Sequence, residues 1–116
     1  MFTLNEVSIA GVVKKDPEKK VTQSGRAKST LIVETVEDSS NNKTGSNFKR
    51  LFHRVILLGK LAENCQLLRE GSNVFVKGKI SYRSWVDEKN TKRYVTEILA
   101  KEVKVVQLNN GESAKE

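Results

Sequence analysis

The sequence predicts an all-β domain with one short helix, closed into a small barrel from which a β-hairpin extends. Three observations predict it. Short runs rich in valine, isoleucine and leucine alternate apolar with polar residues, the period of a half-buried strand. Turn chemistry recurs between the runs, as Asp16-Pro17, Ser24-Gly25 and Asp87-Glu88-Lys89-Asn90. One stretch, Lys60 to Glu70, changes to a helical period, with Leu61, Cys65 and Leu68 at i, i+4 and i+7.

In chain order, Leu4 to Val13 reads as a coiled first strand with Val7, Ile9 and Val13 on one side and Gly11 among them, where a glycine allows a sharp bend. Lys14 to Ala27 reads as a basic loop, and Lys28 to Val36 as a second strand with Leu31 and Val33 facing one way. Asp38 to Lys49 is polar and aperiodic, so a mobile loop or long hairpin is expected there, with Phe48 its one large apolar group. Phe52 to Leu58 is the central strand. Gly71 follows the helix where a C-cap wants positive φ. Asn73 to Ile80 alternates again, Ser81 to Val86 continues it, and the chain returns as Arg93 to Ala100 before a last segment, Glu102 to Leu108. Residues 1–108 are thus expected to form one domain and 109–116 a short disordered polar tail. About five mostly antiparallel strands, with a helix between the third and fourth, is the element order of a five-stranded Greek-key OB-fold barrel. A β-sandwich or an SH3-like barrel would bury the same faces but needs no helix at that point.

A chain of 116 residues can bury one core without disulfides or metal. Its 21 Lys and Arg outnumber 14 Asp and Glu, for a net charge of +7, which favours an anionic partner, with nucleic acid the first suspect. His53 and Cys65 are each the single residue of their kind, so no metal cluster of ordinary spacing can be assembled and no cofactor is expected. Cys65 lies on the apolar helix face, which favours a packed thiol over a nucleophile paired with His53. Asp16, Glu34, Asp38, Glu63, Asp87 and Glu97 are scattered, no phosphate-cradling glycine loop is present, and an enzyme is not expected. No apolar stretch approaches the ~20 residues that span a bilayer, and no signal peptide is visible. The lone cysteine suits a reducing interior, or an organelle reached through a transit peptide since removed.

The side chains that could carry function form two constellations. In the central strand Phe52, Arg54, Ile56 and Leu58 share one face, opposite His53, Val55 and Leu57; an aromatic, a cation and aliphatics in one row suit nucleotides better than a core. Arg83 and Trp85 stand at i and i+2 in a later strand, again a cation beside an aromatic. A stacked base is worth ~1–3 kcal/mol whatever its identity, so such pairs grip single strands without reading sequence. Bland alternatives stand beside these. Trp85 could plug the barrel end, Phe52 could be core, Phe75 could face another subunit, and Tyr82 and Tyr94 could pair across the hairpin. Arg54 must reach solvent or an anion. Lys14, Lys15, Arg26 and Lys28, and likewise Lys92 and Arg93, fall on loops that flank the binding face of an OB-fold, where phosphate contacts are expected.

These residues resemble the bacterial-type single-stranded DNA-binding protein family, which mitochondria also use. Asn5-Glu6-Val7 through Gly11 with Asp16-Pro17-Glu18 resembles the family's opening strand and loop. Phe52-His53-Arg54-Val55 through Gly59-Lys60-Leu61-Ala62-Glu63 is the most specific block, continued by Leu68-Arg69-Glu70-Gly71-Ser72 and Val76-Lys77-Gly78. Arg83-Ser84-Trp85, Asp87 and Arg93-Tyr94-Val95-Thr96-Glu97 resemble its hairpin, so the likeness spans about residues 4 to 106. It implies a homotetramer that wraps single-stranded DNA without sequence preference in replication, recombination and repair. Phe52 and Trp85 fall at stacking positions, and Arg54, Lys60 and Arg83 at cations on the strand's path. The contact set is completed by Phe48, Lys49, Arg50, Lys77 and Lys79 with the loop cations. Two stacking positions depart from the family pattern: no tryptophan occurs near Ser39, and Leu58 stands where an aromatic is usual. Electrostatics are therefore expected to do more, and stacking less, than is usual in the family. The ending Gly-Glu-Ser-Ala-Lys-Glu lacks the acidic tail through which bacterial members recruit replication and repair enzymes, as if cut or as in mitochondrial and mobile-element forms. Two other readings stay open: an adaptor of primosome type that mainly binds a protein, and a binder of single-stranded RNA.

Overall fold

The computed structural model describes residues 1–38 and 48–107. The expected 109–116 tail, Ser39 and most of the Asp38 to Lys49 loop lie outside the described residues. The elements are β1 (Val7–Val13), β2 (Glu18–Val21), β3 (Ala27–Asp38), β4 (Phe48–Leu58), α1 (Lys60–Asn64), β5 (Asn73–Val86) and β6 (Lys92–Gln107). They form one sheet in the order β1-β5-β6-β4-β3-β2. β1 then turns onto β3 through Val12↔Glu34 and Val13↔Val33, which closes five strands into the expected barrel and leaves β2 outside it. β4 and β6 run parallel through two residue pairs, Val55↔Ile98 and Ile56↔Leu99, and the other pairings are antiparallel.

Alternation builds the core. Val13, Leu31, Val33, Val55, Leu57, Val74 and Val76 are fully covered, and Ala62, Cys65 and Leu68 pack against them from the α1 region. Each such burial contributes roughly 1.5–3 kcal/mol, so a few strands suffice to hold the barrel. Two glycines permit the strand crossings. A Cβ on Gly11 would overlap the carbonyl oxygen of Glu34, and one on Gly78 would overlap the carbonyl oxygen of Leu99, where the β5–β6 ladder slips by one residue. Only a residue without a side chain fits there.

The structure differs from the sequence reading at four places. Glu18–Val21, read as loop, is a strand paired to β3, all four residues exposed; with neither face buried it has no apolar alternation to read. α1 stops at Asn64; Leu68 is buried from the turn beyond it, and Gly71 sits in that turn with its N–H donating to the Val13 carbonyl. β3 and β4 run on to Asp38 and from Phe48, which shortens the expected loop at both ends. The two expected final segments are one continuous strand, β6.

Candidate nucleic-acid interface

Strand register decides which side chains share the outer surface. Across β3 and β4, Lys28 stands opposite Leu58, Ile32 opposite Arg54 and Glu34 opposite Phe52. Across β4 and β6, Ile56 stands beside Leu99, and across β6 and β5 the pairs Leu99↔Lys79, Glu97↔Ser81, Val95↔Arg83 and Arg93↔Trp85 complete the same face. Because side chains alternate, Phe48, Arg50, Phe52, Arg54 and Leu58 of β4, Lys28 of β3, Lys77, Lys79, Arg83 and Trp85 of β5 and Arg93 of β6 all point to the outside of the barrel, and β4 meets the β5–β6 hairpin where Ile56 adjoins Leu99. Lys49 and Lys92 project from the opposite faces of their strands, and Lys92 lies 5.7 Å from the Tyr94 ring centroid. Lys14 and Lys15 leave the end of β1, exposed, while Arg26 lies beside Gly59 and next in the chain to Gly59 stands exposed Lys60.

The aromatics on this face are open to solvent: Phe48 is 61% exposed, Phe52 58% and Trp85 43%. Neither Phe52 nor Trp85 is a core plug. Arg83 lies over Trp85 with its guanidinium carbon 5.0 Å from the ring centroid, as its spacing predicts. Ile56 is 5% exposed, so the row read as one open face is covered at that position. Phe75 is half-buried; Tyr82 and Tyr94 are exposed and diagonal across the hairpin, Tyr94 standing opposite Ser84 and Tyr82 opposite Thr96.

Three carboxylates organise the cations. Glu97, on the strand between β4 and β5, accepts from Arg54 Nε at 2.9 Å and from Arg83 Nη2 at 2.9 Å on the same Oε2, with Arg83 Nε 3.4 Å from Oε1. Burial pushes its carboxyl up, but hydrogen bonds from Arg83 and Arg54 outweigh that and hold it below the ordinary carboxylate range. The same contact raises the Arg83 pKa. Glu34 accepts from Arg50 Nη1 at 2.7 Å and pairs with Lys14 at 3.2 Å, and these two cations lower its pKa. Asp87 pairs with Arg93 at 2.8 Å; hydrogen bonds from Arg93 and from the Thr91 and Lys89 amides lower its pKa. In sequence these three carboxylates are scattered, and strand register brings each to its cations. The available signal was Arg54 itself, a cation in a row that had to end at solvent or an anion.

His53 bonds the Thr35 hydroxyl at 2.8 Å, burial raises the Cys65 thiol pKa, and no group of three or more metal-binding side chains occurs among the described residues. No helix among the described residues is long and apolar enough to cross a membrane.

The profile of the single-strand binding protein family matches residues 4–106, nearly the whole chain. The chain belongs to that family. Its likeness to the single-stranded DNA-binding protein 1 of Xylella fastidiosa is 34% identity over 108 residues, covering 91% of this chain and 79% of the relative. Among solved structures, a deletion mutant of the single-stranded DNA binding protein from Thermus aquaticus superposes with a TM-score of 0.79 at 27% identity, over 90% of this chain. The present family member spans 51% of that chain's length. For a single-strand binding family member, the outer face just described is the surface on which rings and guanidinium groups converge.

Proposed function

We propose that this chain binds single-stranded DNA without sequence preference, stacking bases on Phe52 and Trp85 and contacting phosphates through Arg54, Arg83 and the surrounding lysines and arginines. One observation carries the reading: an arginine-backed tryptophan and an exposed phenylalanine lie on the same outward, basic side of the barrel. Family membership and both named relatives support it. Coating of single strands in replication, recombination and repair, without catalysis, follows from the same reading. Phosphate contacts from Lys14, Lys15, Arg26, Lys28, Arg50, Lys60, Lys77, Lys79 and Arg93 belong to it, whereas Lys49 and Lys92 serve only a strand that wraps beyond this face.

Homotetramer assembly is part of the proposal. β1 bonds β5 through residues 7–12 and turns to β3 only at Val12, so its other edge is open over residues 7–11. Ile80, Tyr82, Val86 and Tyr94 are exposed apolar groups on the inward face of the hairpin. Both features suit association between copies. A cytoplasmic or mitochondrial setting completes the reading.

Light scattering of the protein alone and with long poly(dT) tests assembly and wrapping together. The expected result is a tetramer whose complex stays compact. Competition with duplex DNA and with poly(U) tests the ligand class. Duplex binding as tight as oligo(dT) binding at moderate salt would favour the protein-adaptor reading, which the aliphatic Leu58 motivates.

A further inference from the structure

Three neighbouring strands, β5, β6 and β4, each contribute one charged side chain to a single cluster. Glu97 stands on the middle strand, with Arg83 on one side and Arg54 on the other. The carboxylate residue is 6% exposed, whereas the Arg54 and Arg83 side chains are 36% and 43% exposed. A buried carboxylate is an unexpected component of a face meant for a polyanion. It lowers the face's charge by one and carries a desolvation cost that only partners offset.

What it gives in return is geometry. A guanidinium has five N–H donors in a planar fork, and Glu97 engages only the Nε of Arg54 and one edge of Arg83, so most donors remain for a ligand. Arg83 is at the same time the cation lying 5.0 Å from the Trp85 centroid. Without the carboxylate the two guanidinium groups would repel each other, and Arg83 would regain the rotamer freedom that now is frozen.

We propose that Glu97 is a positioning residue of the strand-binding face: its carboxylate fixes Arg54 and Arg83 and, through Arg83, holds the Trp85 ring in the pose that receives a base. The role rests on the single-strand-binding reading above, and it makes Glu97 productive because it is anionic, not in spite of it.

The Glu97→Gln variant separates this from plain electrostatics, because the two predict opposite signs. If the carboxylate only opposes phosphate, its removal tightens oligo(dT) binding and steepens the log–log salt slope by ~0.7. If it positions the arginines, Glu97→Gln weakens binding about tenfold at high salt, where phosphate attraction is screened and stacking remains. Trp85 is the one tryptophan in the chain, so its fluorescence reports on the ring directly. In free Glu97→Gln protein it becomes more accessible to acrylamide, and quenching by oligo(dT) falls. Arg83→Met leaves the Glu97–Arg54 pair in place and loosens Trp85 to the same extent, and combining both changes adds nothing further to the loosening. If Glu97→Gln does not fold, Arg83→Met carries the test, and unchanged acrylamide access in it overturns the role. So does a folded Glu97→Gln that binds equally or more tightly at high salt with Trp85 quenching unaltered. Failure of the wild-type chain to bind oligo(dT) sinks the strand-binding reading and this role with it, whereas wild-type binding indifferent to Glu97→Gln sinks this role alone.

Discussion

Removing the two rings tests whether the outer face acts as separate stacking platforms. Phe52 lies on β4 and Trp85 on β5, with β6 between them. Two interstrand spacings of ~4.8 Å, with Phe52 beyond the short β4–β6 ladder, put them at least about 10 Å apart, far enough for their contributions to add. Each stack is worth ~1–3 kcal/mol, so Phe52→Ala and Trp85→Ala should each weaken oligo(dT) binding by about 5- to 150-fold, and the double variant by the product of the two. Trp85→Ala should lie towards the upper end, because it also strips Arg83 of the ring that supports it. Phe52 is more than half exposed and Trp85 somewhat less than half, so the folding cost should stay within about 1–2 kcal/mol, a shift of up to ~10 °C in Tm. Fluorescence anisotropy of a labelled oligo(dT), titrated at several salt concentrations, measures affinity and slope together. No charge is removed, so the slope should not move. A double variant that binds within about threefold of wild type, or binds no worse than either single variant, would refute independent stacking.

The remaining expectations are stated more briefly. Gly78→Ala forces a methyl group into the Leu99 carbonyl at the root of the hairpin, so it should cost about 3 kcal/mol and lower Tm by ~10 °C or more; a wild-type melting curve would show that the crossing has room. Glu34 and Glu97 have folded-state pKa values depressed below the ordinary 4.5, so their stabilisation is complete above that value and lost as pH falls through the lowered values. Acid unfolding followed by circular dichroism should therefore begin below pH 4.5, and Arg50→Met with Arg54→Met should move its midpoint upward. Leu58→Phe places an aromatic on the outer face opposite Lys28 and should tighten oligo(dT) binding by about fivefold or more; no gain would mean the bound strand does not pass that position.

The barrel was legible because its strands bury one face each. Val74 and Val76, Leu31 and Val33, and Val55 and Leu57 announce themselves by period alone, and so does the pairing of Arg83 with Trp85, which depends on two residues of one strand. β2 was not legible, because Glu-Lys-Lys-Val pairs through its backbone and hides no side chain. The helix was overread because Leu61, Cys65 and Leu68 are all inward, although the chain reaches the last of them by a turn. Of the arginine–carboxylate cluster only the need of Arg54 for solvent or an anion was legible, and its partner was not, for a different reason. Arg54 meets Glu97 across 43 positions of chain, through a parallel register that no local pattern encodes.

That parallel register has a mechanical consequence. Two residue pairs stitch β4 to β6, as two stitch β1 to β3, against eleven between β3 and β4, so the β4–β6 wall is one of two thin seams in the barrel. The Arg54–Glu97 bond crosses this seam as a clasp, one jaw on each stave. A ligand phosphate that drew on Arg54 would therefore tug at the fastening of the barrel wall, linking its binding to local opening of that seam.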